Sequence, residues 1–374
     1  MNRHLALALL WIWLAALTGC GFPVKSRAVE QLRCVETLGC DVSREEVTVS
    51  AAAGSGGEGV PLALAAQGGS IPQALENLRA WSDARELFFA HVRYVVTGER
   101  AARAGLGPLL DYFARSTQTT LELPLLVVRG GEARSLVVGS EQPGRDVTAL
   151  LSSMQRQAEQ TGTARCFTLR EIARRMGRSG AALCCAVEAR PTGENAPSAG
   201  EGAEAVLCAG YAVLKNGVLA GFLDAEAALG ADLLMGLAGQ ADYVLPCGDG
   251  SATVTLLDGN SQLTPAWEED GSLTVRVATR VRAGVLSTDG EDVTDRAVRR
   301  GLSLALAQAV AAQEEAALAA SRDLDADFLE LRLLIGQKAP LAAGSSLASL
   351  RWQIRVEAEL ERSYDLDGGS VVHE

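Results

Sequence analysis

Histidine is almost missing from this chain. It occurs three times, as His4, His91 and His373, and only His91 lies away from the two ends. Metal sites of the finger type need paired ligands at short fixed spacing, usually with histidine, and no CxxC pair is present to begin one. GxSxG and HExxH do not occur, and no Gly-rich run follows a strand with phosphate-loop or dinucleotide spacing. Asp323, Asp325 and Asp327 begin like a calcium loop. Its sixth and twelfth positions, however, hold Phe328 and Leu334, where an EF-hand needs Gly and Glu. Basic charge is also short: 34 Lys and Arg stand against 46 Asp and Glu, a net charge of −12. That argues against nucleic acid as the partner and against broad adhesion to anionic lipid, since both need clustered cations. With so little site chemistry, the sequence predicts no cofactor, no metal and no enzymatic activity.

Long hydrophobic runs are scarce too, with one exception. Leu5 to Leu17 is an unbroken apolar stretch of 13 residues behind the basic Arg3. It is too short for a good bilayer span, which takes about 20 residues, and fits an export signal. The run ends in Leu17, Thr18, Gly19 and Cys20, which resembles a bacterial lipobox. The reading is a signal peptide over 1–19, removed in the mature protein, with a diacylglyceryl group on the Cys20 sulfur. Two or more acyl chains, such as palmitate, give stable attachment where one chain holds only marginally. The bland alternative is an ordinary secretory peptide with a chance cysteine.

Seven further cysteines remain, an odd number. Export permits disulfides, but the sequence assigns none. Cys34, Cys184 and Cys208 sit in apolar, strand-like runs and read as small buried hydrophobes. Cys184 and Cys185 as a vicinal redox pair is the sharper alternative.

The body alternates strand and helix signals. Leu32–Leu38 and Val47–Ala51 read as strands, and Ser70 to Gln73 as a capping box opening a helix. Leu87 to Val96 alternates like one strand, with Phe88, Ala90, Val92, Tyr94 and Val96 on one side and His91 and Arg93 on the other. Helix is favoured over 146–178. Asn216-Gly217 marks a hairpin. Thr294 is expected to cap a long helix carrying Val298, Leu302, Leu306 and Val310. Residues 352–361 read as a closing strand. The Pro-, Gly- and acid-rich segment 191–204 reads as a linker. The expected class is α+β (mixed α/β), in several domains. The divisions are 20–190, a small middle domain 205–250, and 251–374.

The order of these pieces resembles the GerAC, or Ger(x)C, family, the C-subunit lipoproteins of spore germinant receptors. The resemblance runs through RAVEQLRCVETLGCD and then SIPQALENLRAWSDARELFFAHVRYVVTGERAARAGLGPLLDYFARS. In the second stretch the family has a helix, an "FgHlrvlviGe" strand and a "D-f-f-R" helix. Here His91, Arg93, Gly98, Glu99, Asp111 and Arg115 occupy the corresponding positions, as structural or partner-contact residues. GYAVLKNGVLAGFLDAEAALG and the pair Asp327-Phe328 are similar to the family's C-terminal half. The chain departs from the family after Cys20, where Gly21-Phe22-Pro23 replaces Trp-Asp-Arg, and in a reduced tail with a single Trp352.

The resemblance implies about three α/β domains in an elongated arrangement. It implies a non-enzymatic receptor subunit, anchored on the outer face of the spore inner membrane beside integral membrane A and B subunits. His91 then reads as a hydrogen-bonded strand residue rather than a catalyst. Arg93 and Arg115 are expected to cap helix ends or pair with acids, and Glu99 to complement a helix dipole. The rival reading is an extracytoplasmic lipoprotein that captures a small ligand for a transporter in a cleft between two lobes.

Overall fold

The computed structural model describes residues 32–43, 46–53, 62–80, 86–139, 146–191, 204–270, 272–289, 292–340 and 346–361. The leader, Cys20 and most of the 191–204 segment lie outside the described residues. The described strands form two sheets.

The larger sheet has nine strands, and its centre is parallel. β1 (Leu32–Val42), β5 (Tyr94–Gly98), β6 (Leu125–Val128) and β7 (Ala181–Pro191) run side by side in that order. Every residue of β5 and β6 is buried, as expected of parallel strands covered on both faces. β2 (Val47–Ala53) and β3 (Leu62–Gly68) extend the sheet antiparallel beyond β1, and β8 (Glu204–Lys215) and β9 (Val218–Leu223) extend it beyond β7.

The two faces carry separate cores. On one, Val95, Leu125, Val127 and Cys184 meet α1 (Ile71–Ala80), α3 (Gly107–Arg115) and α6 (Leu169–Ser179) through Leu75, Leu78, Phe113 and Ile172. On the other, Tyr94, Val96, Leu126 and Cys185 meet α4 (Ala133–Val138) and α5 (Val147–Thr161) through Leu136, Val137, Leu151 and Met154. The short α2 (Glu99–Ala104) follows β5 directly. Cys184 and Cys185 are adjacent in a strand and therefore point into opposite cores, so they do not act as a vicinal pair.

The second sheet runs β10 (Ala241–Cys247), β11 (Gly250–Trp267), β12 (Leu273–Thr288) and β13 (Arg351–Leu360). β13 pairs parallel to β12. The connection includes the 28-residue α8 (Arg296–Asp323) and α9 (Leu331–Lys338). Leu302, Leu306 and Val310 of α8 cover the inner face of the sheet. α7 (Ala225–Leu234) packs directly on α8. Gly230 makes this approach possible, since a Cβ there would lie 1.9 Å from the Gln313 carbonyl oxygen.

Several sequence expectations take a different form. The segment 191–204, read as a linker between units, is flanked by β7 and β8, which pair with each other from Ala181–Lys215 to Pro191–Glu204. Residues 205–250, read as a small middle domain, divide between the two sheets: β8 and β9 complete the first, and β10 opens the second. The run Leu87–Val96 is two strands, because the chain turns at Ala90-His91 and the Val92 N–H returns to the Phe89 carbonyl. β4 (Glu86–Phe88) and β5 then use successive lengths of the same edge of β1. The turn shifts the phase of the alternation, so Leu87, Phe89, Val92 and Tyr94 are buried while Phe88, Ala90 and His91 are exposed. The long helix is capped one residue later than expected: Asp295 accepts from the Ala297 N–H, and Thr294 donates its hydroxyl to Asp292. The Asn216-Gly217 hairpin is present, both residues having the positive φ that the tight turn requires.

Candidate functional site

In open α/β sheets, ligands bind beyond the carboxyl ends of the parallel strands. In this chain that region is made by Asp41 near the end of β1, Gly98 at the end of β5 with Glu99 just after it, and the segment Gly130–Glu132 after β6. Backbone N–H groups converge there, as they do where phosphates are held. Here they are already engaged. Asp41 Oδ1 accepts from the N–H groups of Gly98 and Ala133 at 2.9 and 3.1 Å, and its Oδ2 accepts from Arg134 N–H at 3.0 Å. Glu99 Oε2 accepts from Gly130 N–H at 2.8 Å, and its Oε1 accepts from the Arg103 guanidinium at 2.7 and 2.9 Å. The Gly130 hydrogen bond is the main reason that the Glu99 carboxyl sits below its ordinary pKa, against the opposing effect of burial. Glu99 thus stays ionised and fixed.

Gly98 is required by space. A Cβ there would come within 2.6 Å of Asp41 Oδ1, 2.7 Å of Glu132 Cα and 2.8 Å of the Gly131 oxygen. A cavity of about 330 Å³ opens beside these residues, lined by Asp41, Glu46, Arg100, Glu132 and Arg134 among others. Arg100 and Glu132 form an ion pair within it. No nucleophile is held against a base at this crevice. Among the described residues, no group of three or more His, Cys, Asp or Glu is arranged to hold a metal ion.

The six motif residues do not assemble into one site. Gly98 and Glu99 belong to the crevice. His91 and Arg93 lie beyond the opposite end of β5, both exposed. The His91 ring stands 5.6 Å from the Phe88 ring, and the Arg93 guanidinium lies 6.0 Å from the Tyr94 ring centroid. His91 is therefore a solvent-facing turn residue rather than the strand residue expected. Asp111 and Arg115 pair across one turn of α3 at 2.9 Å, both exposed. With Ser43, Ile71 and Tyr112 they border a second cavity of about 540 Å³. Val42 and Ser43 line both cavities, so the two open on either side of the end of β1.

Three carboxylates organise their surroundings, and the sequence reading singles out only Asp327 among them, through its pair with Phe328. Asp41 is one. Asp327 is the second: its two oxygens accept from Leu331 and Arg332 N–H at 2.7 and 2.9 Å and so start α9, while Phe328 beside it is buried. Asp232 is the third, 4% exposed, receiving the Tyr211 hydroxyl at 2.8 Å. Burial pushes its carboxyl up to about 7, and the Tyr211 hydrogen bond opposes the shift. No sequence spacing signals the roles of Asp41 and Asp232, because their partners lie 21 to 93 residues away along the chain.

Fold and site together define a two-sheet mixed α/β protein whose strand-end crevice is closed by its own carboxylates. Residues 25–189 match the family described as the spore germination protein N-terminal domain, and residues 209–364 match the one described as spore germination B3/GerAC like, C-terminal. The chain belongs to this GerAC spore germination family. A solved structure described as the crystal structure of the GerBC protein is similar in fold, with a TM-score of 0.53 at 12% identity, covering 87% of this chain and 97% of that one. No curated protein matches the chain.

Proposed function

We propose that this chain is the C subunit of a spore germinant receptor. It is a lipoprotein held by Cys20 on the outer face of the spore inner membrane, and it works by assembling with integral membrane A and B subunits. The carrying observation is the pair of family matches, which follow one another in order over nearly the whole body and begin a few residues after Cys20. None of the helices in the described residues is long and apolar enough to cross a membrane, which is consistent with attachment through a lipid. The 12 residues from Cys20 to Leu32 span at most about 40 Å when extended. The tether would therefore hold the body close to the bilayer and raise its effective concentration beside the membrane subunits, so that modest contacts suffice. A role without bond-making is part of this proposal.

The test is Cys20→Ala. The expected result is a folded body in the aqueous fraction of disrupted spores and impaired nutrient germination. Unchanged membrane retention of the variant would overturn the anchoring. Co-purification of A and B subunits with the wild-type chain from spore membranes tests the assembly. The 540 Å³ cavity beside Asp111 and Arg115 favours one second reading, capture of a small ligand. A thermal shift of the purified chain with amino acids or sugars would support that reading.

A further inference from the structure

Strands β7 and β8 bring two thiols into contact. Cys185 is fully buried, and its Sγ lies 3.8 Å from the Sγ of Cys208, which is partly exposed. The ladder shifts register between Cys185 and Val187, and this bulge sets the two side chains diagonally against each other. A third thiol, Cys166, is also partly exposed and lies close enough to interact with the same Cys185 sulfur. A disulfide needs its sulfurs about 2.05 Å apart, so closure asks for a movement of about 1.8 Å, within reach of side-chain rotation. Cys184 takes no part, because it faces the opposite core.

We propose that Cys185 and Cys208 form a reversible thiol–disulfide site, closed by exchange with a small-molecule disulfide. Cys208 is the attacking thiol because it is the exposed member of the contact pair. A hydrogen bond from Cys185 also holds its pKa below the ordinary thiol value, which raises its thiolate share. Its thiolate attacks one sulfur of the small disulfide, forming a mixed disulfide and expelling one small thiolate. Cys185 then loses its proton and attacks the Cys208 sulfur, expelling the second small thiolate. The two protein protons end on the two released thiols. Two protein thiols are oxidised and one external disulfide is reduced. The bond would clamp β7 to β8 at the boundary between the two family-matched halves, and Cys166 competes for the same buried sulfur.

The experiment treats the full-length chain, in detergent, with oxidised glutathione. It is then acid-quenched, alkylated with iodoacetamide and mapped without reduction. Glutamyl endopeptidase separates the three cysteines by cutting after Glu171, Glu188 and Glu204, among other sites. The expected product is the Cys185 peptide joined to the Cys208 peptide, lighter than their sum by two hydrogens and released by dithiothreitol. C166A and C184A should keep it, and C208A and C185A should lose it. Fragment ions of the 172–188 peptide, which holds both Cys184 and Cys185, place the link on one of them, so the wild-type map decides even if a variant misfolds. Alkylated free Cys185 and Cys208, a glutathione adduct that persists on Cys208, or a Cys166–Cys185 link in the wild type would each overturn the assignment.

Discussion

Replacing Asp41 with alanine removes the carboxylate that receives three backbone N–H groups, those of Gly98, Ala133 and Arg134. A hydrogen bond to a charged group contributes about 1.5–3 kcal/mol. The Arg134 bond is exposed and its amide can turn to water, whereas the other two are partly buried. Two such bonds, discounted for partial access to water, put the expected loss at about 2–4 kcal/mol. Asp41→Asn is the sharper probe. It keeps the volume and the Oδ1 acceptor, but turns an amide NH₂ toward the Arg134 N–H, donor against donor. The expected loss is about 1–3 kcal/mol. Urea denaturation of the full-length protein reads the total, and amide exchange reads the place. Exchange should accelerate first over residues 130–138, which Asp41 pins to the end of β1. An unchanged urea midpoint for Asp41→Asn, with unchanged exchange in that segment, would refute the view that this carboxylate holds the strand ends together.

Asp232 makes stability depend on pH. Its folded pKa of about 7 lies above the ordinary 3.8, so the folded state keeps a proton that the unfolded chain releases. This contribution to stability is full below about pH 4, declines as pH rises and levels off above about pH 7, a total on the order of 4 kcal/mol. Asp232→Asn should flatten that slope and be more stable than wild type near pH 8; parallel slopes for the two proteins in urea titrations would count against it. Gly230→Ala should cost at least about 3 kcal/mol, because the new methyl meets the Gln313 backbone at 1.9 Å. An unaltered melting temperature would show that α7 and α8 are not packed this way. Gly301→Ala lies within α8 with nothing within 4 Å. It should stabilise by about 0.5–1 kcal/mol through helix propensity alone, and a lowered melting temperature would contradict the open environment assigned to it.

The sequence displays what depends on neighbours along the chain and hides what depends on distant partners. The Asn216-Gly217 turn, the apolar stripe of α8 and the closing strand β13 are all written in local spacing, and all three form. The alternation through Leu87–Val96 is equally visible, yet it misplaces His91. Two strands share one edge of β1, and the turn between them costs one step of phase. Segment 191–204 has the composition of a linker, but composition does not reveal that the strands flanking it become neighbours in a sheet. In the crevice, Gly98 and Glu99 were marked by their resemblance to a family motif. Asp41 closes a stretch that also resembles the family, but its role is not legible there, because it depends on amides 57 to 93 residues further along.

The two family matches meet between residues 189 and 209, inside the nine-stranded sheet rather than between two bodies. The second match takes in β8 from residue 209 onward and all of β9, and these strands complete the sheet built by the first. Tyr211 of β8 carries the point further. Its hydroxyl accepts from the Arg165 N–H on one side and donates to Asp232 of α7 on the other. α7 in turn rests on α8, which covers the second sheet. A chain of direct contacts therefore runs from the first sheet through Tyr211, α7 and α8 to β10–β13. With the strand ends pinned by Asp41 and Glu99 and α7 seated on α8 at Gly230, the described parts of the two sheets are joined by direct packing.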